Sequence, residues 1–192
     1  MRRCWVTVVA ALAAVAGCGD AGGSPAAPAP PSTPSVSSPA ATGRLTVTSS
    51  AFADGGTVPR RHTCDGADVS PPLALAGVPA HTAALALVMQ DSDAPHGAFT
   101  HWLAWNLGPH TTRLSAGEQP RGATEGRNDF GRTGYGGPCP PRGDRPHRYV
   151  LTVYAADRRL SLAADASRAQ LLRALSGHTL SIGTLTGRYR RG

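Results

Sequence analysis

Short runs of mostly apolar residues, each about as long as a β-strand, recur along the chain from residue 45 onward. Turns rich in Gly, Pro, Asp and Asn separate these runs, which occupy residues 45–49, 84–89, 101–107, 149–155 and 179–185. Runs of this length between such turns predict strands. We therefore expect a mainly β fold, a β-sandwich with one or two short helices, over residues 44–192.

A histidine stands at the start of two of these strands. Side chains alternate along a strand, so His101 is expected on the same face as Leu103 and Trp105. By the same rule His147 shares a face with Tyr149. Both strands then carry polar groups at one end of an apolar face, which predicts two strand entrances that face one cavity.

One helix is predicted near the end of the chain. Asp165 is expected to cap a helix that begins at Ala166, because an apolar stripe runs from Leu171 to Leu175 and Gly177 follows as a stop signal.

The last apolar run changes phase at Gly183. Leu180 and Ile182 share one face, whereas Leu185 lies on the other. This predicts either a β-bulge at Gly183 or burial of both faces.

The first residues have the pattern of an export signal. Residues 1–17 begin with two arginines and continue with 12 apolar or small residues, too short a run to span a bilayer. Small residues stand directly before Cys18, a pattern that resembles the lipobox of bacterial lipoproteins, in which the cysteine is acylated. We expect residues 1–17 to be a signal peptide and Cys18 to anchor the protein on the extracytoplasmic face of the cell membrane.

Residues 18–43 have the composition of a linker. Beyond Cys18 they are almost all Ala, Gly, Pro, Ser and Thr, which cannot bury enough apolar surface to fold. A flexible chain of this length reaches about 25–30 Å. The remaining residues, 44–192, are enough for one domain with a single core.

The chain is basic, with a formal net charge of +7, and all of its basic residues except histidine are arginine. This has two explanations, codon usage in a GC-rich genome and attraction to phosphates or anionic surfaces, and we favour codon usage. The arginines are scattered, and no stripe of aromatic and basic residues indicates a nucleic-acid partner.

Two cysteines remain in the predicted domain, Cys64 and Cys139. Outside the cytoplasm such a pair usually oxidises, so we expect a disulfide, worth about 4 kcal/mol for a loop of roughly 75 residues. The alternative is a nucleophilic Cys139 activated by His147, which requires a free thiolate.

Asp91 and Asp93 follow a predicted strand and precede Pro95. Read as a metal motif, the pair would share a divalent ion with a phosphorylated substrate. Otherwise one aspartate caps a turn. We expect one to cap the turn and the other to lie in the pocket, where it orients a histidine.

A metal site is the alternative interpretation of the histidines. His62, His101 and His147 could join the two aspartates around zinc, but no local ligand spacing supports this, and we expect no metal. His101 as a core residue and His147 as a surface residue stay open.

The segment 134–143 contains four glycines and three prolines, a composition that suits a stiff loop with free amides able to hold an anion. A phosphate between this loop, His101, His147 and the Tyr149 hydroxyl would meet donors on several sides. The Asp91 carboxylate would repel the phosphate unless Asp91 keeps a histidine protonated or is itself protonated. Binding should therefore strengthen as the pH falls toward 6.

Several motifs occur in order over residues 45–189. They are CDG at 64–66, SPPL at 70–73, DSDAP at 91–95, HW at 101–102, GRNDFG at 126–131, GGPCPP at 136–141 and HRY at 147–149. Together they resemble the phosphatidylethanolamine-binding protein family, most closely its bacterial Raf-kinase-inhibitor-like branch.

The resemblance implies an antiparallel β-sandwich with a small anion pocket, no cofactor and no established catalytic activity. Carried over by position, the ligand-binding residues are Asp91, Asp93, His101, Pro141, His147 and Tyr149.

We therefore expect a membrane-tethered binding protein, not an enzyme, for phosphate, phosphoryl headgroups such as that of phosphatidylethanolamine, or carboxylates. A hydrolase that uses the His and Asp side chains, or an inhibitor of an unidentified protein partner, remains the alternative. A homodimer is possible, and a nucleic-acid partner is not expected.

Overall fold

The computed structural model describes residues 44–192, and the predicted signal peptide, Cys18 and the tether lie outside them. Eight strands and one α-helix form the described part. The strands are β1 (Thr46–Thr48), β2 (Leu73–Ala76), β3 (Ala84–Asp91), β4 (Phe99–Leu107), β5 (Arg113–Leu114), β6 (Thr124–Glu125), β7 (His147–Ala156) and β8 (Thr179–Tyr189). The helix α1 spans Arg168–Leu175, and a 3-10 turn spans Arg60–His62.

The strands form two antiparallel sheets. One has the order β1-β2-β5, and the other has the order β6-β4-β3-β7-β8. The expectation of a mainly β, antiparallel fold is therefore confirmed. The strands that the sequence did not predict are β2, β5 and β6, which have only two to four residues each.

Apolar side chains are buried on both faces of the five-stranded sheet. The core between the sheets includes Val47, Leu75, Leu87, Trp102, Leu151 and Leu185. The core beneath α1 includes Ala86, Val88, Leu103, Trp105, Leu171 and Leu175. The central strands β3 and β4 contribute to both cores, which explains why their sequences are almost continuously apolar.

A β-bulge changes the side-chain alternation of β4. Trp102 pairs with Met89 and Thr100 pairs with Gln90, so His101 is an extra residue without a partner on β3. The predicted common face of His101 and Leu103 is therefore wrong. Leu103 packs beneath α1, whereas the His101 ring contacts Tyr149 on the opposite face. The bulge turns His101 toward the region between the sheets.

The helix begins later than expected. Its N-cap is Ser167, not Asp165, and a capping box joins Ser167 to Gln170 in both directions. The predicted stop is confirmed, because Gly177 follows the helix with a φ of +76°.

Both interpretations of the phase change at Gly183 are wrong, because no bulge lies there and the face that carries Leu180 and Ile182 is exposed. Gly183 pairs regularly with Val153, and the irregularity of β8 lies instead between Thr179 and Ser181, at Leu180. Gly183 faces β1, where a Cβ atom would lie 2.7 Å from the Leu45 carbonyl oxygen. The position needs glycine because the other sheet crosses it closely.

Cys64 and Cys139 form the expected disulfide, with their Cα atoms 5.4 Å apart. It joins the segment after the 3-10 turn to the loop before β7. Within residues 44–192, no helix combines the length and apolar character needed to cross a bilayer.

Candidate functional site

The ends of three adjacent strands lie together at one end of the five-stranded sheet. Asp91 ends β3, His147 begins β7, and His101 lies near the start of β4. Because β3 runs antiparallel between β4 and β7, its last residue lies beside the first residues of both neighbours. The two histidines that the sequence singled out are thereby brought to one site, and both are buried.

Asp91 and His147 form a buried pair. His147 Nδ1 donates to Asp91 Oδ2 at 2.7 Å, and the two side chains are only 4–5% exposed. The other oxygen, Oδ1, accepts a hydrogen bond from the Asp93 backbone amide at 2.9 Å. Asp91 therefore both caps the turn and orients a histidine, two tasks that we expected to be divided between the aspartates.

Asp93 lies behind the site and does not line the cavity. Its carboxylate accepts hydrogen bonds from the Arg148 side chain at 2.9 Å, and Arg145 is 3.2 Å away. The hydrogen bond from the Arg148 guanidinium holds the pKa of Asp93 well below its usual range. Its negative charge is thus balanced by arginines rather than by a ligand.

His101 is held on one side by the glycine-rich loop. Its Nδ1 donates to the Gly136 carbonyl at 2.7 Å, and the Gly136 amide donates back to the His101 carbonyl at 2.9 Å. Burial lowers the pKa of His101, so the neutral ring is favoured.

Aromatic rings surround His101. The rings of Phe99, Phe130 and Tyr149 each contact it edge-on, with centroids 5.1–5.2 Å away. Tyr149 is fully buried, and its hydroxyl makes no hydrogen bond although Asp91 lies close enough to influence its pKa. Burial is the main reason that the pKa of Tyr149 is raised.

A cavity of about 130 Å³ lies beside the two histidines, and the buried Tyr149, like Asp93, is not part of its wall. Its walls are Asp91, Ala94, Pro95, Phe99, His101, Phe130, Cys139, Pro140, Pro141 and His147. Larger clefts of up to about 520 Å³ lie elsewhere on the described surface, but none of their linings pairs a buried histidine with a buried carboxylate. The small cavity is therefore the candidate site.

The glycine-rich loop contributes walls rather than free amides. The Gly136 amide is bonded to the His101 carbonyl, and the Gly137 amide donates to Asp68 at 2.7 Å. The predicted backbone nest is therefore wrong at these two positions. Pro140, Pro141 and the disulfide-bonded Cys139 form a rigid side of the cavity instead.

No group of three or more His, Cys, Asp or Glu side chains in residues 44–192 is arranged to hold a metal ion. His62 is separate from the cavity, and its Nδ1 bonds to the Val69 carbonyl at 2.9 Å.

Sequence reasoning assigned no role to three side chains beside the two histidines. Phe99 and Phe130 form the aromatic wall, and Asp144 Oδ2 lies 3.4 Å from His147 Nε2. Asn128 positions Phe130, since its Oδ1 accepts from the amides of Phe130 and Arg132. The motif at 126–131 was part of the resemblance and was the available signal for Phe130.

Comparisons with known proteins agree with this architecture. The family model described as phosphatidylethanolamine-binding protein matches residues 48–190. A UPF0098 protein from Pyrococcus horikoshii is 43% identical over 150 residues, which are 74% of this chain and 75% of that protein.

Two crystal structures resemble the fold. A phosphatidylethanolamine-binding protein homologue from Chlamydia trachomatis is 36% identical with a TM-score of 0.74, covering 79% of this chain and 100% of that one. E. coli YbcL, described as a member of the mammalian family, is 32% identical with a TM-score of 0.73, covering 78% and 99%. The chain therefore belongs to the phosphatidylethanolamine-binding protein family.

Proposed function

We propose that this protein binds a small anion in the cavity between His101 and His147 and performs no chemistry on it. The observation that carries the proposal is the buried Asp91–His147 pair beside a second buried histidine. Asp91 fixes the orientation of the His147 ring, and imidazole N–H groups are donors from which an anion can accept hydrogen bonds.

The same nitrogen of each histidine ring, Nε2, is left for a ligand. Nδ1 of His101 is bonded to Gly136 and Nδ1 of His147 to Asp91, so Nε2 remains on each ring. An anion in the cavity can accept hydrogen bonds from these Nε2 atoms.

The size and lining of the cavity limit the ligand. A volume of about 130 Å³ is well below the 300–1,000 Å³ typical of sites for drug-sized molecules. It suits phosphate, a phosphoryl headgroup or a short carboxylate. Phe99, Phe130 and Pro95 supply an apolar wall for carbon atoms attached to the charged group.

Titration of the full chain in a nonionic detergent with inorganic phosphate and with phosphoethanolamine tests this function. Both ligands should shift the NMR signals of the His101 and His147 rings. We expect His147→Ala and Asp91→Asn each to weaken binding at least tenfold, about 1.4 kcal/mol, without unfolding the protein. Unchanged affinity in both variants would refute the proposed site.

The controls are His178→Ala and Asp157→Asn. His178 and Asp157 form another His–Asp pair, with 3.2 Å between Nδ1 and Oδ1, and flank the other end of the β7–β8 hairpin. At 3.3 Å per residue that end is roughly 30 Å from His147, so neither substitution should alter the affinity.

We also propose that Cys18 carries lipid and that residues 19–43 tether the domain outside the cytoplasm. The lipobox-like residues before Cys18 and the composition of the linker support this. A membrane-held domain with a headgroup-sized pocket would sample ligands at the lipid surface.

A further inference from the structure

The His147 ring lies between two carboxylates. Nδ1 is 2.7 Å from Asp91 and Nε2 is 3.4 Å from Asp144, which precedes His147 by three residues. Asp144 therefore lies at the ring nitrogen that remains for a ligand, because Nδ1 is already bonded to Asp91.

The two carboxylates differ in how firmly they are held. Asp91 is 5% exposed and is fixed by a second hydrogen bond, from the Asp93 amide. The Asp144 side chain is 43% exposed, and His147 is its only polar partner among the described residues. Asp91 is thus a permanent partner of the ring, and Asp144 is a replaceable one.

The surroundings of Asp144 lower the free-energy cost of moving its side chain away from His147. It follows Gly143, whose φ of +85° and open surroundings mark a turn on the surface. The flanking side chains of Arg142 and Arg145 are 66% and 75% exposed, so a released carboxylate enters water near positive charge. Because the Asp144 carboxylate is 43% exposed, water screens its interaction with the buried His147 ring and reduces the free energy that the contact contributes.

We propose that Asp144 is a built-in competitor for the anion site, which a ligand must displace from His147 Nε2. The inference rests on the proposed function and adds a residue that sets the strength of binding. Displacement and simple repulsion have different consequences. A competitor that must leave weakens every anion by the same factor, whereas a fixed negative charge repels a more highly charged ligand more strongly.

The test compares inorganic phosphate with acetate at constant pH and ionic strength. Affinities of the full chain in detergent are measured by calorimetry for the unsubstituted protein, Asp144→Asn and Asp144→Ala. We expect both variants to bind both ligands about threefold tighter or more, and by equal factors. Asp157→Asn is the matched control, since it removes the same charge from another His–Asp pair.

Each outcome is decisive. If the protein binds phosphate and the Asp144 variants bind it no more tightly, the inference fails and the proposed function stands. A larger gain for phosphate than for acetate would show repulsion without displacement, and an equal gain in Asp157→Asn would show a general charge effect. Binding that appears only in the Asp144 variants supports the competitor. No binding in any variant would overturn the proposed function and the competitor together.

Discussion

At the scale of single residues, the site depends on how each ring nitrogen is used. Nδ1 of His101 is hydrogen-bonded to the Gly136 carbonyl and Nδ1 of His147 to Asp91, so the orientation of each ring is fixed. Such fixed orientation reduces the entropy that a ligand must remove when it binds. The difference between the rings is electrostatic, because only His147 has carboxylates in contact with it.

The pH dependence of binding follows from His101. Burial lowers the pKa of His101, and an anion at Nε2 favours the protonated ring. Binding therefore takes up a proton, so affinity should rise as the pH falls through the usual histidine range near 6.5. Sulfate is a suitable probe, because its own charge is constant there.

Calorimetry with sulfate between pH 8 and pH 5.5 measures this dependence. His101→Gln, which keeps a polar atom near Nε2 but does not titrate, should show a shallower slope, whereas His178→Gln should match the unsubstituted protein. Without ligand the sign reverses. A His101 pKa below its unfolded value means that folding stability falls as the pH drops below about 6.5. An affinity that is constant or falls on acidification would contradict this account.

At the scale of elements, the sequence predicted the common face of a strand correctly where one face is buried and the other is more exposed. In β7 buried residues alternate with more exposed ones, and the common face of His147, Tyr149 and Leu151 was predicted correctly. In β4 both faces are buried, so no alternation of buried and exposed positions marks the bulge at His101. The positions of Phe130 and Asp144 depend on loops that meet only after folding, and no local pattern encodes that meeting.

The N-cap of α1 is Ser167 in the structure and Asp165 in the prediction, and substitutions at both positions test this difference. Ser167→Ala should lower the free energy of unfolding by about 1 kcal/mol, because the N-cap side chain accepts a backbone hydrogen bond from Gln170. Asp165→Ala should change it by less than about 0.5 kcal/mol, as expected for a surface position. Urea denaturation at 25 °C measures both, and a larger loss for Asp165→Ala would restore the cap that the sequence predicted.

At the scale of the whole molecule, the proposal joins a lipid anchor, a linker and a binding domain in one chain. The fold and family of the domain follow from residues 48–190 and the two sheets. The anchor is a prediction from the residues around Cys18, and its biochemical signature is independent of the ligand site.

Metabolic labelling in a bacterial host with radioactive palmitate tests the anchor. The unsubstituted chain should incorporate the label and Cys18→Ser should not. Cys4→Ser is the matched control, since Cys4 lies in the predicted signal peptide and should be removed without affecting acylation. Label retained by Cys18→Ser would disprove the assignment of the lipid to this residue.

The disulfide makes the state of the cavity wall depend on when the two cysteines are oxidised. Cys139 is part of the cavity wall, and Cys64 holds it from a segment 75 residues away in sequence. Thiols of newly made chains stay reduced in the cytoplasm. On the export route that we propose, the disulfide forms only after translocation, so this wall of the cavity is fixed outside the cytoplasm.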